Sequence, residues 1–482
     1  MQTKMFVGLM VYAVLHIFLW SANPPDVDPI NFVTALQHYN VAIDSPHPPG
    51  YPGYVGLARI ASMLVAANHA YQLVNLFLVI STALLVYYSL VKLGMETEAW
   101  VSALIILSHP LLLSSTLVQE SYVSDACLGA CILAWVIFSH RNSKLLLVGL
   151  ILFFYLFGLF RVVSDVLLLP LTLALVWRFS DDKLLTLKAM VLILLACFLA
   201  WLTTVALAGG YEIYKTAVDR VMVDAVKSSS ILAGASLDNH IRMLVKLGIW
   251  LFFSTIPLLL VCFGVGIFSN GIEQKYKEKS FDNRLALAWV LPPLAFYVFV
   301  YYLKPTYLLI FLPVYAIYLA SSLKKLAFYF KMDIFKPVLL LFIGLQLSLF
   351  FTPNKSWPQS IYRESYSYML AQDSAWEELK QAVKPIPRQN TLLVWHLGPG
   401  LSMYTLRLLD VPYPVAIIHA SHKTIEFVEP HDMRWLPPQY LSAIHQNQYH
   451  YIAELIERHG HIVAKVTEIK PDETRSLDEF VF

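Results

Sequence analysis

Charged side chains are scarce in this sequence, and their scarcity excludes an ordinary soluble domain. Only 14% of the 482 residues are Asp, Glu, Lys or Arg, and 57% are hydrophobic. Soluble domains carry about 25% charged residues. The net charge of +2 gives no basis for nucleic-acid binding. The composition therefore indicates an integral membrane protein.

Cysteines and processing motifs are equally sparse. The four cysteines, Cys127, Cys131, Cys197 and Cys262, lie in apolar runs and have neither metal-ligand spacing nor a disulfide framework. We interpret them as small core residues. The first apolar run has no small-residue cleavage site, so we expect it to be retained as a membrane span.

Long apolar runs are plentiful, and they predict a mainly α, polytopic membrane protein. Each run is about 16 to 23 residues long, close to the ~20 that a crossing helix needs. The eleven predicted spans are 5–20, 71–90, 100–118, 122–139, 145–160, 162–177, 187–208, 247–268, 285–303, 307–322 and 337–351. Segment 51–67 is interpreted as an interfacial helix, because the short basic loops then share one side with the amino terminus.

The residues after 351 contain more charge and no span, which predicts two domains, a transmembrane domain 1–351 and a small extracytoplasmic α/β domain 352–482. Within the second domain the pattern predicts strands at TLLVW (391–395), PVAIIH (414–419) and HIVAKVTEI (461–469), and helices over 396–410 and 451–457.

The predicted sidedness puts the polar residues of the first long loop outside the membrane. Asp26 and Asp28 follow the first span, and apolar residues at helical spacing after them predict a short amphipathic helix. One of these aspartates could be a helix cap, and the other interpretation is a catalytic carboxylate.

The stretch DSPHPPGYPGY (44–54) closes this loop with four prolines and two glycines. Prolines fix φ and glycines permit tight turns, so the stretch cannot be helical throughout. By itself it predicts a rigid loop at the membrane interface, with tyrosines at the headgroup level.

Four further charged residues lie at the predicted outer edge of the membrane. Glu120 and Asp125 stand at the start of a span, where they are either functional or simply favoured by the helix dipole. Arg161 interrupts a long apolar run and either pairs with Asp165 or binds an anion. Lys304 either binds an anion as well or extends to the interface.

These segments resemble a known family. DPINFVTAL followed by HPPGYPGYVGLARI is similar to the first outer loop of GT-C superfamily glycosyltransferases, in the bacterial branch related to protein O-mannosyltransferases. QESYVSD, FRVVSDVLLLP, GGYEIYKTAV and KPTYLL are weaker likenesses, and together they cover most of residues 1–351.

The resemblance implies roles for individual residues. Asp28 matches the family's proposed catalytic base, with Asp26 as the reserve. Arg161 and Lys304 would bind the phosphate of the donor, and His47 and Tyr51 would shape or bind its headgroup. Glu120 and Asp125 weakly match a second acidic site. Relatives often carry an acidic residue where this chain has Asn31. The resemblance therefore leaves open whether a divalent cation is a cofactor.

The resemblance also implies an activity, an inverting transfer of sugar from a polyprenyl-phosphate donor to a glycan, lipid or protein acceptor. It implies the outer face of a membrane, which we expect to be the bacterial inner membrane. One alternative is a lipid or polysaccharide transporter, which should place charges near mid-membrane. Another is a structural subunit of an envelope assembly, in which Asp28 would be dispensable.

Overall fold

The chain divides into two compact units in the computed structural model. The first unit comprises Met1–Trp20 and Pro48–Ser367, and the second comprises Ser21–His47 and Tyr368–Phe482. The described residues are 2–180, 182–221, 226–227, 229–268, 281–329, 335–387, 391–395, 408, 415–419, 424–429, 434–436, 451–458 and 461–468.

Helices make up most of the described residues, as predicted. They are α1 (Gln2–Phe18), α2 (Val27–Gln37), α3 (Pro52–Ala61), α4 (Ala67–Lys92), α5 (Glu96–Ser108), α6 (Pro110–Thr116), α7 (Val123–Ser139), α8 (Ser143–Ser180), α9 (Lys183–Leu207), α10 (Tyr211–Val221), α11 (Leu237–Phe268), α12 (Asn283–Phe299), α13 (Leu312–Tyr329), α14 (Phe335–Phe351), α15 (Gln359–Arg363) and α16 (Tyr366–Val383). Short 3-10 helices lie at Val41–Ile43, Ile231–Ala233 and Pro305–Phe311.

Four stretches of the described chain are long and apolar enough to cross a membrane, namely α4, α8, α9 and 305–325. A fifth crossing results if α5 and α6, which are bent by 55° at His109, form one span. The bend has a local cause, because Pro110 disfavours helical geometry at the residue before it. Shorter apolar helices lie in α1, α7, α12 and α14. These helices make a multi-pass membrane protein, and the number of eleven spans stays a prediction.

The break that the sequence predicts at Arg161 is present. The predicted spans 145–160 and 162–177 are the two halves of α8, which is helical except at Arg161, where φ is −158° and ψ is 88°. At 1.5 Å per residue, a straight helix of this length would be about 57 Å long, well beyond the ~30 Å of a bilayer core. The break therefore divides α8 at a length that suits one crossing on each side.

The segment predicted as an interfacial helix contains the ten-residue helix α3. Pro52 occupies its first turn, where the missing N–H of proline has no cost. A helix of ten residues spans only about 15 Å, too little to cross a membrane. The amphipathic helix predicted after the second aspartate is α2, which already begins at Val27.

A six-stranded mixed sheet belongs to the second unit. Its strands are β1 (Thr391–Trp395), β2 (Val415–His419), β3 (Thr424–Glu429), β4 (Arg434–Leu436), β5 (Tyr451–Arg458) and β6 (His461–Glu468). The order is β4-β3-β2-β1-β5-β6, and β1 pairs in parallel with both β2 and β5. Strands are present where the sequence predicts them at 391–395, 414–419 and 461–469, whereas the helix predicted over 396–410 lies outside the described residues apart from Leu408.

The helix predicted over 451–457 is wrong, because these residues form β5. The strand pairs with β1 on one side and β6 on the other, so its backbone is satisfied within the sheet. Ile452, Ala453 and Leu455 are all buried. Burial of consecutive residues removes the alternation that marks a strand, and tertiary pairing decides the conformation.

The core of the second unit joins the amino-terminal loop to the sheet. Ile30 of α2 packs in one cluster with Trp376 and Leu379 of α16 and with Leu393 and Leu455 of the sheet. Segment 21–47 therefore belongs to the same hydrophobic core as the strands. The sequence division at residue 351 stays a prediction.

Candidate active site

Asp28 and His47, both predicted as site residues, face each other in the second unit. Asp28 Oδ1 lies 3.5 Å from His47 Nδ1, and the side chains are 23% and 17% exposed. The His47 ring stands edge-on to Phe32, with 5.3 Å between the ring centroids. The pair is thus held by packing, and its partial exposure leaves the Asp28 carboxylate within reach of a hydroxyl group that could donate a proton to it.

Asp26, the reserve base, is the amino-terminal cap of α2. Its Oδ1 accepts a hydrogen bond from the N–H of Val27 at 2.7 Å, and its own backbone is extended. Asp28 lies in the first turn, where the helix dipole favours a negative charge. The capping role that the sequence left open for either aspartate is therefore filled by Asp26.

The chain from His38 to His47 folds on itself before it reaches the histidine. Asn40 and Ser45 exchange backbone hydrogen bonds, and Ser45 Oγ donates to the carbonyl of His38 at 2.5 Å. Asp44 has a φ of 60°, which aspartate tolerates better than most residues. This tight turn defines the position of His47 at its end.

The remainder of the proline-rich stretch belongs to the first unit and packs against α8. A Cβ added at Gly53 would lie 2.8 Å from Leu159 Cβ, so α3 approaches α8 too closely for any other residue. Gly50 has a φ of 107° and Tyr51 a φ of 47°, which turns the chain sharply into α3. Tyr51 lies close enough to Arg161 for an electrostatic interaction.

Two buried polar side chains hold the segment that precedes α7. Tyr54 Oη lies 2.8 Å from the carbonyl of Glu120 and 2.9 Å from Asn75 Oδ1. Asn75 Nδ2 is within 3.2 Å of the carbonyls of Ser115, Val118 and Glu120. Burial raises the pKa of Tyr54 well above its ordinary value, so the hydroxyl remains a donor. The backbone at Glu120 is thereby fixed to α3 and α4.

The two cations predicted as phosphate ligands meet at one tyrosine of the first unit. Arg161 Cζ lies 4.3 Å from the centroid of the Tyr122 ring, and Lys304 Nζ lies 5.8 Å from it. Arg161 is also 5.3 Å from the ring of Tyr307. These distances are within the range of cation–π attraction. Residues far apart in sequence thus form a single cationic cluster.

Each cation has its own acidic neighbour, and these are the two residues of the predicted second acidic site. Lys304 Nζ lies 2.8 Å from Glu120 Oε1, and Arg161 Nε lies 3.3 Å from Asp125 Oδ1. Asp125 Oδ1 also accepts a hydrogen bond from Ser164 Oγ at 2.6 Å. The carboxylates offset the cost of burying the cations. Arg161 Nη1 is buried and has no hydrogen-bond partner among the described residues.

Asp165, weighed as the local partner of Arg161, lies elsewhere. Its Oδ2 is 3.9 Å from Cys197 Sγ and would be 2.7 Å from a Cβ added at Gly158. The side chain is completely buried, and within the described chain its Oδ1 has no hydrogen-bond partner. The carboxylate that pairs with Arg161 is therefore Asp125 and not the residue one helical turn away.

The sequence pattern assigned no role to the tyrosines that surround the cationic cluster. The Tyr307 ring contacts the rings of Tyr122, Tyr297, Tyr301 and Tyr302 at centroid distances of 5.2 to 6.1 Å. The available signal was their position, because Tyr122 and Tyr307 stand beside charged residues in QESYVSD and KPTYLL. Among the residues that the structure describes, no three His, Cys, Asp or Glu side chains come together as a metal site.

Comparison with known proteins gives a likeness of structure without one of sequence. No protein-family model matches the chain, and no curated protein matches it. The crystal structure of ArnT from Cupriavidus metallidurans bound to undecaprenyl phosphate superposes with a TM-score of 0.59 at 11% identity, over 97% of this chain and 98% of that one. ArnT from the same organism in the apo state gives 0.55 at 9% identity, over 96% and 98%.

A third structure is more distant. The archaeal oligosaccharyltransferase AglB from Archaeoglobus fulgidus, in complex with an inhibitory peptide and a dolichol-phosphate, gives a TM-score of 0.44 at 12% identity, over 93% of this chain and 69% of that one. That score is too low to indicate a shared fold. The likeness to ArnT extends over both chains almost completely and shows the fold.

Proposed function

We propose that this chain, which has the GT-C fold, is an inverting glycosyltransferase that takes a sugar from a polyprenyl-phosphate donor. The observation that supports this most directly is the meeting of Arg161 and Lys304 at Tyr122 in a membrane protein. The fold is that of ArnT, whose crystal structure contains undecaprenyl phosphate. The bacterial O-mannosyltransferase branch, the acceptor and the outer face of the inner membrane remain part of the proposal.

Arg161 and Lys304 would bind the phosphate of the donor. Arg161 uses Nε toward Asp125, which leaves Nη1 available to donate to a phosphate oxygen. Guanidinium–phosphate hydrogen bonds are charge-assisted, and they strengthen as negative charge develops on the leaving group. Tyr51, beside Arg161, would contact the same headgroup.

Asp28 would act as the general base. The acceptor hydroxyl oxygen forms a bond to the anomeric carbon while the bond from that carbon to the phosphate oxygen breaks. The hydroxyl proton passes to the Asp28 carboxylate, and the electron pair of the broken bond leaves with the phosphate. A single carboxylate suffices because the donor already carries its leaving group, unlike the substrates of glycoside hydrolases. His47, at 3.5 Å from Asp28, would orient it.

The test is the variant Asp28→Asn, with Asp26→Asn as its matched control. Asparagine caps a helix as well as aspartate does, so the control variant should preserve α2 and should transfer sugar at the normal rate. Loss of a general base should slow transfer by about 10²- to 10⁴-fold. The measurement is the release of undecaprenyl phosphate from undecaprenyl-phosphate-linked sugars by the full chain in lipid nanodiscs. An Asp28→Asn variant that transfers sugar at the normal rate would refute the assignment.

A further inference from the structure

The segment that leads into α2 is bound by a single carboxylate of α16. Asp373 Oδ1 accepts hydrogen bonds from the backbone N–H of Asn23 at 2.7 Å and from Ser21 Oγ at 3.2 Å. Its Oδ2 accepts from the backbone N–H of Ala22 at 3.1 Å. These bonds have an ionised acceptor, which makes them stronger than hydrogen bonds between neutral groups.

Two more residues on the same face of α16 continue this contact. Trp376 Nε1 donates to the carbonyl of Pro24 at 2.9 Å, and its side chain is buried. Lys380 Nζ donates to Asn23 Oδ1 at 3.0 Å. Positions 373, 376 and 380 lie on one side of a helix because their spacing follows the helical repeat. The residues from Ser21 to Pro24 are therefore bound along two turns of α16.

Residues 21–24, which α16 binds, lead into α2, the helix that carries Asp28. Ile30, two residues after Asp28, is 2% exposed and packs in the core that α16 forms with the sheet. Asp28 thus lies between an approach segment bound by Asp373 and a helix face buried against Trp376 and Leu379. Every one of these contacts is within the second unit.

We propose that Asp373 is a positioning residue for Asp28, and that α16 has the function of fixing residues 21–37, the segment that carries Asp28. The proposal rests on the proposed function for its catalytic part, since Asp28 is assigned there as the base. Asp373 does not act on the substrate. It sets the path of residues 21–24 and so the position of the carboxylate that follows them. Displacement of a reacting group by about 1 Å can cost ~100-fold in rate.

The experiment compares Asp373→Ala and Asp373→Asn with Glu468→Gln in the full chain in nanodiscs. Glu468 is an exposed acidic residue on β6, so its variant controls for the loss of one negative charge. Hydrogen–deuterium exchange of residues 21–37 measures the fixation without reference to activity. Asp373→Ala should accelerate this exchange at least about tenfold, because bonds to a charged acceptor are lost. Asp373→Asn retains one acceptor oxygen and should fall between Asp373→Ala and the wild type.

The second readout is the release of undecaprenyl phosphate from undecaprenyl-phosphate-linked sugars. Asp373→Ala should lower kcat by about 10- to 100-fold with little change in the donor KM, and Asp373→Asn should restore most of it. Unchanged exchange in residues 21–37 would overturn the proposal whatever the chain's activity. Faster exchange with normal kcat would also overturn it, because the segment would then be fixed without catalytic consequence.

Failure of the proposed function gives a different result. In that case Asp28→Asn is as active as the wild type, while the exchange of residues 21–37 still responds to Asp373→Ala. The two proposals are thereby separated. A variant Asp373→Ala that does not fold is replaced by Asp373→Asn, whose smaller acceleration of exchange and smaller loss of kcat carry the same sign.

Discussion

Arg161 lies over the face of Tyr122, with its Cζ 4.3 Å from the ring centroid, and Lys304 approaches the same ring at 5.8 Å. Two positive charges repel each other at this range, so bringing them together requires negative groups nearby. Asp125 and Glu120 supply these as counter-ions, and the electron-rich face of the Tyr122 ring adds a further attraction for the cations. An anion bound at Arg161 Nη1 would complete the arrangement.

The first prediction concerns the ring of Tyr122. Tyr122→Leu should weaken binding of undecaprenyl phosphate by about 3- to 30-fold, because cation–π contacts are worth ~0.5–2 kcal/mol. Tyr122→Phe keeps the aromatic face and should bind like the wild type. The measurement is a titration of each variant in nanodiscs with undecaprenyl phosphate. Equal affinities for Leu and Phe at this position would contradict a role for the ring.

The second prediction concerns the guanidinium of Arg161. Arg161→Lys keeps the charge but presents all its donors on one nitrogen, in place of separate Nε and Nη1 donors for Asp125 and a phosphate, so affinity for undecaprenyl phosphate should fall about tenfold. Arg178→Lys is the control, since Arg178 is on the same helix, has a 65% exposed side chain and pairs with Asp282 at 3.4 Å. A shift in the control as large as in Arg161→Lys would mean that the effect comes from the helix and not from the site.

The third prediction concerns the close packing of α3 on α8. Gly53→Ala should destabilise the chain by about 1–3 kcal/mol, because the added methyl group meets Leu159 and overpacked positions cost this much. Gly56→Ala, three residues on in the same helix, has no atom within 4 Å of the added Cβ among the described residues. It should be neutral or gain up to ~1 kcal/mol of helix propensity. Thermal unfolding in detergent compares the two, and equal midpoints would show that the contact with α8 is not made.

The fourth prediction concerns the hydroxyl of Tyr54. Tyr54→Phe should destabilise the first unit by about 0.5–1.5 kcal/mol, because the buried carbonyl of Glu120 loses one donor and keeps Asn75 Nδ2. The folded-state pKa of Tyr54 is raised, so its contribution is fully present below the ordinary pKa of about 10 and is lost only as the pH rises beyond it.

The loss of stability in Tyr54→Phe should accordingly be the same at pH ~6 and pH ~9, both below the pKa of free tyrosine. Unfolding in denaturant at the two pH values measures it. A difference that grows between them would indicate that Tyr54 ionises in the folded chain.

Several local features of the molecule followed from the sequence because they depend on neighbouring residues. The apolar runs predicted a helical membrane protein, and the interruption at Arg161 is where α8 breaks. The spacing after Asp28 predicted α2, and the prolines and glycines of residues 44–54 predicted a tight, non-helical stretch that leads into α3. The HPPGYP motif predicted the GT-C fold, which the likeness to ArnT confirms at a level of identity too low for sequence comparison.

Contacts between residues that are far apart in the chain did not follow from the sequence. Asp165 stands four residues after Arg161 and is an acceptable partner by helical spacing. The pair that forms is with Asp125 on another helix, and no local spacing pointed to it. Residues 451–457 have a pattern that suits a helix, and only the neighbouring strands on both sides made them β5. Nothing near Asp373 in sequence pointed to residues 21–24, because a carboxylate and the donors it binds need no sequence relation.

The sequence by itself determined where helices form and break and which residue types stand at their ends, since periodicity, proline and capping act over a few residues. Only the tertiary structure decided which charges meet, because a buried charge takes whichever partner the packing of distant helices brings within reach. That is why the sequence could single out Arg161 and Lys304 as charged residues beside apolar runs, while it could not show that both approach the ring of Tyr122.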